Sequence, residues 1–244
     1  MKQFVPVMKR ELLGYFRSPV AYVFIVIFLA ALAGCTFFLG NFFRSNEASL
    51  EVFFAFHPWL FLFLIPAIGM RLWAEERRSG TIELLFTLPI TMEEAVLGKF
   101  AAAWIFIGIS LALTFPMIIT AFYLGEPDGF QIFIGYLGSF LMAGAYLAVT
   151  SWTSSLTKNQ VVSFILSVVI CLLSLFLGWG VFAELMNHIL PGWLTDLIAT
   201  FSFTTHFQAM QRGLLDSRDV VFFASVIILM LLLNMITLES KKSQ

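Results

Sequence analysis

The side chains that most often do chemistry in proteins are few and scattered in this chain. It has two cysteines, Cys35 and Cys171, and three histidines, His57, His188 and His206. Each cysteine lies inside a long apolar run, where a free thiol is a small packing residue. A disulfide or metal framework would need more cysteine or histidine at ligand spacing. We therefore expect no metal site and no catalytic residue.

The usual motif for nucleotide hydrolysis is missing as well. A phosphate-binding loop reads G-x-x-x-x-G-K-[ST], and Gly98-Lys99 lacks both the upstream glycine and the following Ser or Thr. We predict that the chain is not an ATPase or other enzyme and binds no cofactor of its own. If the protein performs active transport, the energy comes from a partner.

The densest group of charged residues lies where one predicted helix ends. Glu75, Glu76, Arg77 and Arg78 are consecutive. Glu75 and Arg78 are spaced i, i+3, so they can pair on a helix. Gly80 suits the position just past a helix C-terminus. This pattern predicts that a membrane helix continues outward and then stops sharply.

A short second helix is predicted after that stop. Thr81 can cap it, it covers 82–88, and Pro89 closes it. Thr91-x-x-Glu94 is a capping box that begins the next long helix. A short amphipathic helix held rigidly below a membrane can dock in a groove of another protein, whereas an ordinary solvated loop is the alternative. The candidate docking residues are Glu75, Glu76, Arg77, Arg78, Gly80, Thr81, Ile82, Glu83, Leu85 and Phe86.

The elements that must position this segment are membrane spans. Hydrophobic residues make up 60% of the chain and charged residues 12%, about half the charged share of a soluble domain. Charges are clustered, and the gaps are apolar on all sides, which indicates helices rather than a barrel. The expected fold is an all-α polytopic membrane protein. Its six transmembrane helices are predicted near 20–43, 52–70, 100–124, 130–156, 160–183 and 220–238.

Lysine and arginine predict the orientation of these spans. With six spans both termini share one side, and 11 of the 14 basic residues fall on that side. Cytoplasmic loops carry the excess of basic residues, so we expect both termini in the cytoplasm. The opposite side holds Arg44, Arg212 and Arg218.

Two further segments stand apart from the spans. Residues 1–19 predict an amphipathic interfacial helix, since apolar residues such as Phe4 and Leu12 share one face. A basic anchor with no further role is the alternative. Residues 184–219 are too apolar for a free loop, and they predict two short helices that re-enter the outer interface. The polar face of the interfacial helix carries Lys9, Arg10, Glu11 and Arg17.

The charged segment resembles the signature loop of ABC-2 type permeases. Residues 76–85 read ERRSGTIELL, followed by LPIT at 88–91 and GK at 98–99. The family pattern is similar: E-R-x-x-G-T-[IL]-E-x-L-L, a proline, then G-K before the third span. KREL at 9–12 and RSP at 17–19 resemble the family's interfacial helix. Within the family, FHPW at 56–59, IPAIGMR at 65–71 and SFTTHF at 202–207 are similar to the gliding-motility-associated permeases.

This resemblance implies a mechanism and a set of partners. Two six-helix halves, either identical or related, would pair in the bacterial inner membrane. Two ABC ATP-binding subunits, which hold the ATP and Mg, would sit on their cytoplasmic side. ATP-driven closure would push on the helix at 82–88 and open the seam between the halves outward. The consecutive charges at 75–78 would be gate or docking charges, and residues 20–244 would form one transmembrane domain with a coupling loop at 71–99 and a periplasmic re-entrant region at 184–219.

Two other functions stay open. A secondary carrier usually places ionisable residues inside its spans, and the predicted spans have none in their interiors. A membrane assembly or scaffold subunit would keep the spans but need no ATPase. Copurification of an ATP-binding subunit would separate it from a permease. Membrane lipid is an expected partner and nucleic acid is not, since no basic stripe occurs. Spans rich in Phe, Leu and Ile suit an amphiphilic cargo, but they equally suit lipid.

Overall fold

The computed structural model describes residues 3–43, 49–81, 90–180, 182, 184 and 191–242. All regular structure in these ranges is helical, so the predicted all-α membrane fold is confirmed. The proposed docking helix at 82–88 lies outside the described residues, as do Arg44 and His188.

Twelve α-helices and one π-helical turn follow one another in the described ranges. The N-terminal half contains α1 (Phe4–Arg17), α2 (Pro19–Gly34), the π-helical turn (Cys35–Leu39), α3 (Glu51–Ala55), α4 (His57–Gly69), α5 (Arg71–Ser79) and α6 (Met92–Ala112). The C-terminal half contains α7 (Phe115–Leu124), α8 (Gly129–Leu156), α9 (Gln160–Phe176), α10 (Gly192–Ala199), α11 (Phe203–Gln211) and α12 (Ser217–Lys242).

Within the described ranges, five helical stretches are long and apolar enough to cross a membrane. The remaining predicted span, the fifth at 160–183, corresponds to α9, which is apolar but has 17 residues, at the short end of the range that spans a bilayer core. The second span runs from His57 to Ser79 rather than from 52 to 70, because α5 extends α4 by about two turns. The five stretches are Pro19–Leu39, His57–Ser79, Met92–Leu124, Gly129–Leu156 and Ser217–Lys241.

Contacts at the helix ends show which way α9 runs. It follows the end of α8, and near its own end the Leu175 carbonyl accepts a hydrogen bond of 3.1 Å from Thr204. Asp219, at the start of α12, lies at that same end, 2.6 Å from His206. α12 then returns, and Lys241 donates to the Leu156 carbonyl at 2.9 Å. Hence α9 passes from one end of the bundle to the other.

Helix α8 is the centre of the bundle. It packs against α4, α5, α6, α9, α11 and α12, and most of its residues are buried. Small residues allow this close packing. A Cβ atom at Gly144 would lie 2.8 Å from the Trp104 ring, whose indole nitrogen donates to the Phe140 carbonyl at 2.9 Å.

Three of the helix boundaries lie where the sequence predicted them. Ser18 is extended between α1 and α2. Gly80 follows α5 with a φ of 74°, a conformation that glycine adopts at little cost. Thr91 and Glu94 form the expected capping box at the start of α6.

Candidate functional site at the charged end of the bundle

One end of the bundle brings together charged residues from four helices. We call it the charged end, and define it by Glu11 of α1, Glu76 and Arg77 of α5, Lys99 of α6 and Lys241 of α12. Both terminal helices, α1 and α12, reach this end. Glu76 and Arg77 lie near the C-terminus of α5. The charged end is therefore also the end at which α5 leads into the predicted docking segment.

Lys99 connects three of these helices. Its ammonium nitrogen lies 2.7 Å from a Glu76 carboxylate oxygen and 3.5 Å from one of Glu11. The Lys99 side chain is only 5% exposed, and its nitrogen lies 5.3 Å from the centre of the Trp73 ring. A buried ammonium needs such partners because desolvation of an unpaired charge is costly. Lys99 thus fixes α6 to α1 and α5.

Gly98, next to Lys99, lets α1 approach α6 closely. A Cβ atom at Gly98 would lie 2.8 Å from Cγ1 of Val7, a buried residue of α1. The backbone nitrogen of Gln3 also donates to Glu94 at 3.2 Å. The Gly-Lys pair recognised in the sequence therefore has a structural role: the glycine makes room for α1, and the lysine binds its Glu11.

Ser154 of α8 contacts the chain where α4 passes into α5. Its hydroxyl oxygen accepts hydrogen bonds from the backbone nitrogens of Trp73, at 3.1 Å, and Ala74, at 3.0 Å. The same hydroxyl donates to the Met70 carbonyl at 2.8 Å. Trp73 is fully buried, and its indole nitrogen donates to Ser151 at 3.3 Å. Two serines of α8 therefore hold the start of α5.

Two cations converge on the C-terminus of α8. Arg77 donates to the Ser155 carbonyl at 2.6 Å. Lys241 donates to the same carbonyl at 3.1 Å and to that of Leu156 at 2.9 Å. Carbonyls at a helix C-terminus lack intrahelical partners and carry partial negative charge. The two side chains thus tie α5 and α12 to the end of α8.

The predicted docking residues divide into buried and exposed groups. Glu76 and Arg77 face the bundle, whereas Glu75, Arg78 and Thr81 are exposed. The possible Glu75–Arg78 pair does not form in the described chain; the carboxylate of α5 that binds a cation there is Glu76, whose partner is Lys99. The other predicted docking residues, Ile82, Glu83, Leu85 and Phe86, lie outside the described ranges.

The predicted residues of α1 also differ from one another. Glu11 binds Lys99 and also pairs with Arg10 at 2.9 Å. Lys9 and Arg17 are exposed. Only one of the four charged residues of this helix is therefore directed at the bundle.

Ser151, Ser154 and Ser155 were not predicted from the sequence as site residues. A signal for them exists in the hydroxyl-rich run TSWTSS at 150–155, which ends an otherwise apolar span. Such residues hydrogen-bond across helices in membranes. Their partners could not be identified, because they come from helices that are about 80 residues away in either direction.

The described residues contain no group of three or more His, Cys, Asp or Glu side chains placed to hold a metal ion. Cys35 and Cys171 are both free thiols. The arrangement at the charged end offers mechanical connection between helices rather than covalent chemistry.

Residues 59–239 match the family model described as ABC-2 family transporter protein. The match covers well over half of the chain, which therefore belongs to the ABC-2 transporter family. A search of curated proteins finds none that matches.

The chain is accordingly a multi-pass membrane component of an ABC transporter and not itself an ATPase. Membership of the family implies association with an ATP-binding subunit. The resemblance to gliding-motility permeases is finer than this match and stays a prediction.

Proposed function

We propose that this chain is the permease half of an exporter in the bacterial inner membrane, driven by a separate ATPase that binds at the charged end. The observation that carries the proposal is the extension of the second span through α5. That extension ends at Gly80, immediately before the segment that resembles the family's signature loop.

The contacts of α5 suit the transmission of force. Ser154 holds its start to α8, Glu76 joins it to α6 and α1 through Lys99, and Arg77 joins it to the end of α8. A displacement of the segment at 82–88 would therefore move several helices together. A rigid element between two conformational states is what such coupling needs.

The remaining parts of the proposal follow the family resemblance and the distribution of charge. A second permease half, identical or related, and two ATP-binding subunits would complete the transporter. The basic residues of the loops support a cytoplasmic location for both termini. A role in gliding motility is the narrower form of the same proposal, supported by the motifs at 56–71 and 202–207.

A scaffold subunit is the competing function, and capture of the ATPase separates the two. The proposed docking face contains Leu85, and Leu85→Asp would bury an unpaired carboxylate at the contact, which costs several kcal/mol. Since each 1.4 kcal/mol is tenfold in affinity, we expect the ATP-binding subunit to be lost in a detergent pull-down. The control is Ser217→Asp, an exposed position at the opposite end.

The pull-down is interpreted only for chains that elute as folded protein in size-exclusion chromatography. Undiminished capture by the Leu85→Asp chain would contradict docking at this segment. Failure of the unaltered chain to capture any ATP-binding subunit would favour the scaffold function.

A further inference from the structure

A cavity of about 500 Å³ lies beside the charged end, between α1, α2, α4, α5 and α6. Its volume is within the range of ligand sites, roughly 300–1,000 Å³. Its lining combines five charged side chains with a larger number of apolar ones. The charged lining is Glu11, Arg71, Glu75, Glu76 and Lys99, and the apolar lining includes Val20, Val23, Phe24, Ile27, Leu64 and Ile68.

Only two of the five charges are left for a ligand. Lys99 is bound by Glu76 and Glu11. Arg71 and Glu75, one helical turn apart on α5, form no ion pair within the described residues, and both are exposed. The cavity therefore presents one free cation and one free carboxylate side by side. A zwitterionic ligand whose anionic and cationic groups are close together is complementary to this pair, since its anion can bind Arg71 and its cation Glu75.

The cavity also offers an uncharged donor. Burial, together with the nearby Glu11 carboxylate, raises the pKa of the Tyr15 phenol. Tyr15 lines the cavity and remains protonated at neutral pH. Its hydroxyl can donate a hydrogen bond to an oxygen of a bound headgroup.

The apolar wall continues onto the membrane surface of α2. Val20, Val23 and Ile27 line the cavity, and each is at least half exposed although α2 is part of a membrane span. A ligand with its polar group in the cavity could therefore lay hydrocarbon chains along α2 without leaving the lipid. Such a ligand is an amphiphile.

We infer that this cavity binds a phospholipid whose headgroup carries a primary ammonium, with the phosphate at Arg71 and the ammonium at Glu75. The headgroup and glycerol occupy the cavity, and the acyl chains follow α2. A second copy of this chain is a poorer occupant, because an apolar helix would bury Arg71 and Glu75 without partners. The inference does not depend on the direction of transport or on the ATPase.

Native mass spectrometry of the purified full-length chain tests the assignment. The protein is extracted from bilayers with equal amounts of phosphatidylethanolamine, phosphatidylcholine and phosphatidylglycerol. We expect phosphatidylethanolamine to be retained about tenfold over phosphatidylglycerol, which lacks the ammonium, and over phosphatidylcholine, whose quaternary ammonium cannot donate to Glu75. Retention of no lipid, or of all three equally, would overturn the inference.

Matched variants separate the two charge contacts. Glu75→Gln should abolish the preference among headgroups, and Arg71→Gln should lower retention of all three lipids about tenfold. Glu93→Gln and Lys158→Gln alter exposed charges at the same end of the bundle outside the cavity, and should retain lipid as the unaltered chain does. Equal retention by Arg71→Gln would remove the assigned phosphate contact.

A volume variant tests the cavity without changing charge. Gly14 lines it, and a Cβ atom there would meet no atom within 4 Å. Gly14→Trp should fill the space, abolish lipid retention and leave α1 helical, since glycine is a poor helix former. Gly34→Trp, also open at Cβ but outside the cavity, is the control. Continued lipid retention in a folded Gly14→Trp chain would contradict the proposed site.

A covalent test distinguishes the lipid from a second copy. Val23→Cys is introduced into a chain that also carries Cys35→Ser. If a second copy covers the cavity, oxidation will give a cross-linked dimer in high yield and no retained lipid, and the inference fails. If lipid occupies the cavity, the Val23→Cys chain will remain mostly monomeric after oxidation, and lipid will be retained.

Discussion

The hydroxyl of Ser154 lies within hydrogen-bond distance of the backbone nitrogen of Trp73, 81 residues earlier in the chain. It therefore contacts the backbone where α4 meets α5, since it also accepts from the Ala74 nitrogen and donates to the Met70 carbonyl. A side chain that enters the hydrogen-bond ladder of a helix is a known cause of a bend. The second span thus consists of two helical segments, α4 and α5, that meet at Met70, where Ser154 of α8 is hydrogen-bonded to the backbone.

Replacement of Ser154 by Ala should destabilise the folded chain. The substitution leaves the buried backbone nitrogens of Trp73 and Ala74 without their side-chain acceptor, at a cost of about 1–3 kcal/mol. The measurement is the apparent Tm in detergent micelles, which we expect to fall by several degrees. Ser225→Ala is the control, because that hydroxyl is exposed and contacts only its own helix. Equal Tm values for the two variants would contradict the role of Ser154.

Removal of the Lys99 ammonium should be more costly than removal of the whole Lys99–Glu76 pair. Lys99→Met leaves the Glu76 carboxylate half-buried without its cation, and we expect a loss of about 3 kcal/mol. Adding Glu76→Gln should restore part of this loss, since it removes the half-buried carboxylate that had lost its cation. Unfolding free energies of the two single variants and the double variant form the required cycle. Strict additivity would show that the two residues do not interact.

Arg77 and Arg78 should have separate effects although they are adjacent. Arg77→Glu removes the hydrogen bond to the Ser155 carbonyl and places a carboxylate against a helix C-terminus, so we expect a lower Tm. Arg78 is exposed and forms no ion pair in the described chain. Arg78→Glu should therefore leave the Tm unchanged but reduce permease-stimulated ATP turnover several-fold. Unaltered turnover would assign Arg78 to an ordinary solvated surface.

The orientation of the bundle can be measured by cysteine labelling in intact cells. We expect cysteines at Ser79 and Lys158, both exposed at the charged end, to resist an impermeant reagent until the cells are opened. A cysteine at Asp216 should label at once. Labelling of Lys158 from outside, with Ser79 protected, would show that α8 and α9 do not cross as proposed.

Much of the fold could be predicted from the sequence because lipid leaves few alternatives. Charge gaps located the spans, and the capping box at Thr91 located the start of α6 eight residues before the charge gap began. The sequence also predicted that the helix of the second span continues past Arg71 and stops at Gly80, and α5 does so. In the structure the charged residues that follow continue the same helix and find partners on α1, α6 and α8.

The candidate site was predicted less completely than the fold. Local patterns identified the charged residues of α5, but not which of them face inward. Glu76 and Arg77 are inward because Lys99 and Ser155 lie opposite them, and those positions depend on how helices pack rather than on spacing along one helix. The same holds for the serines of α8, because the residues that they contact can be identified only from the packed structure.

The polar contacts of α8 have a consequence for biogenesis. Asn234 of α12 donates to Ser151 of α8 at 2.8 Å. Lys241 of α12 donates to the last two carbonyls of α8. These partners are synthesised some eighty residues after α8. A nascent chain that has inserted α8 therefore holds incompletely paired hydroxyls and carbonyls in or near lipid until its final helix arrives. In a chain truncated before α12, these groups of α8 would never gain their partners. Such a chain should be a substrate for membrane quality control.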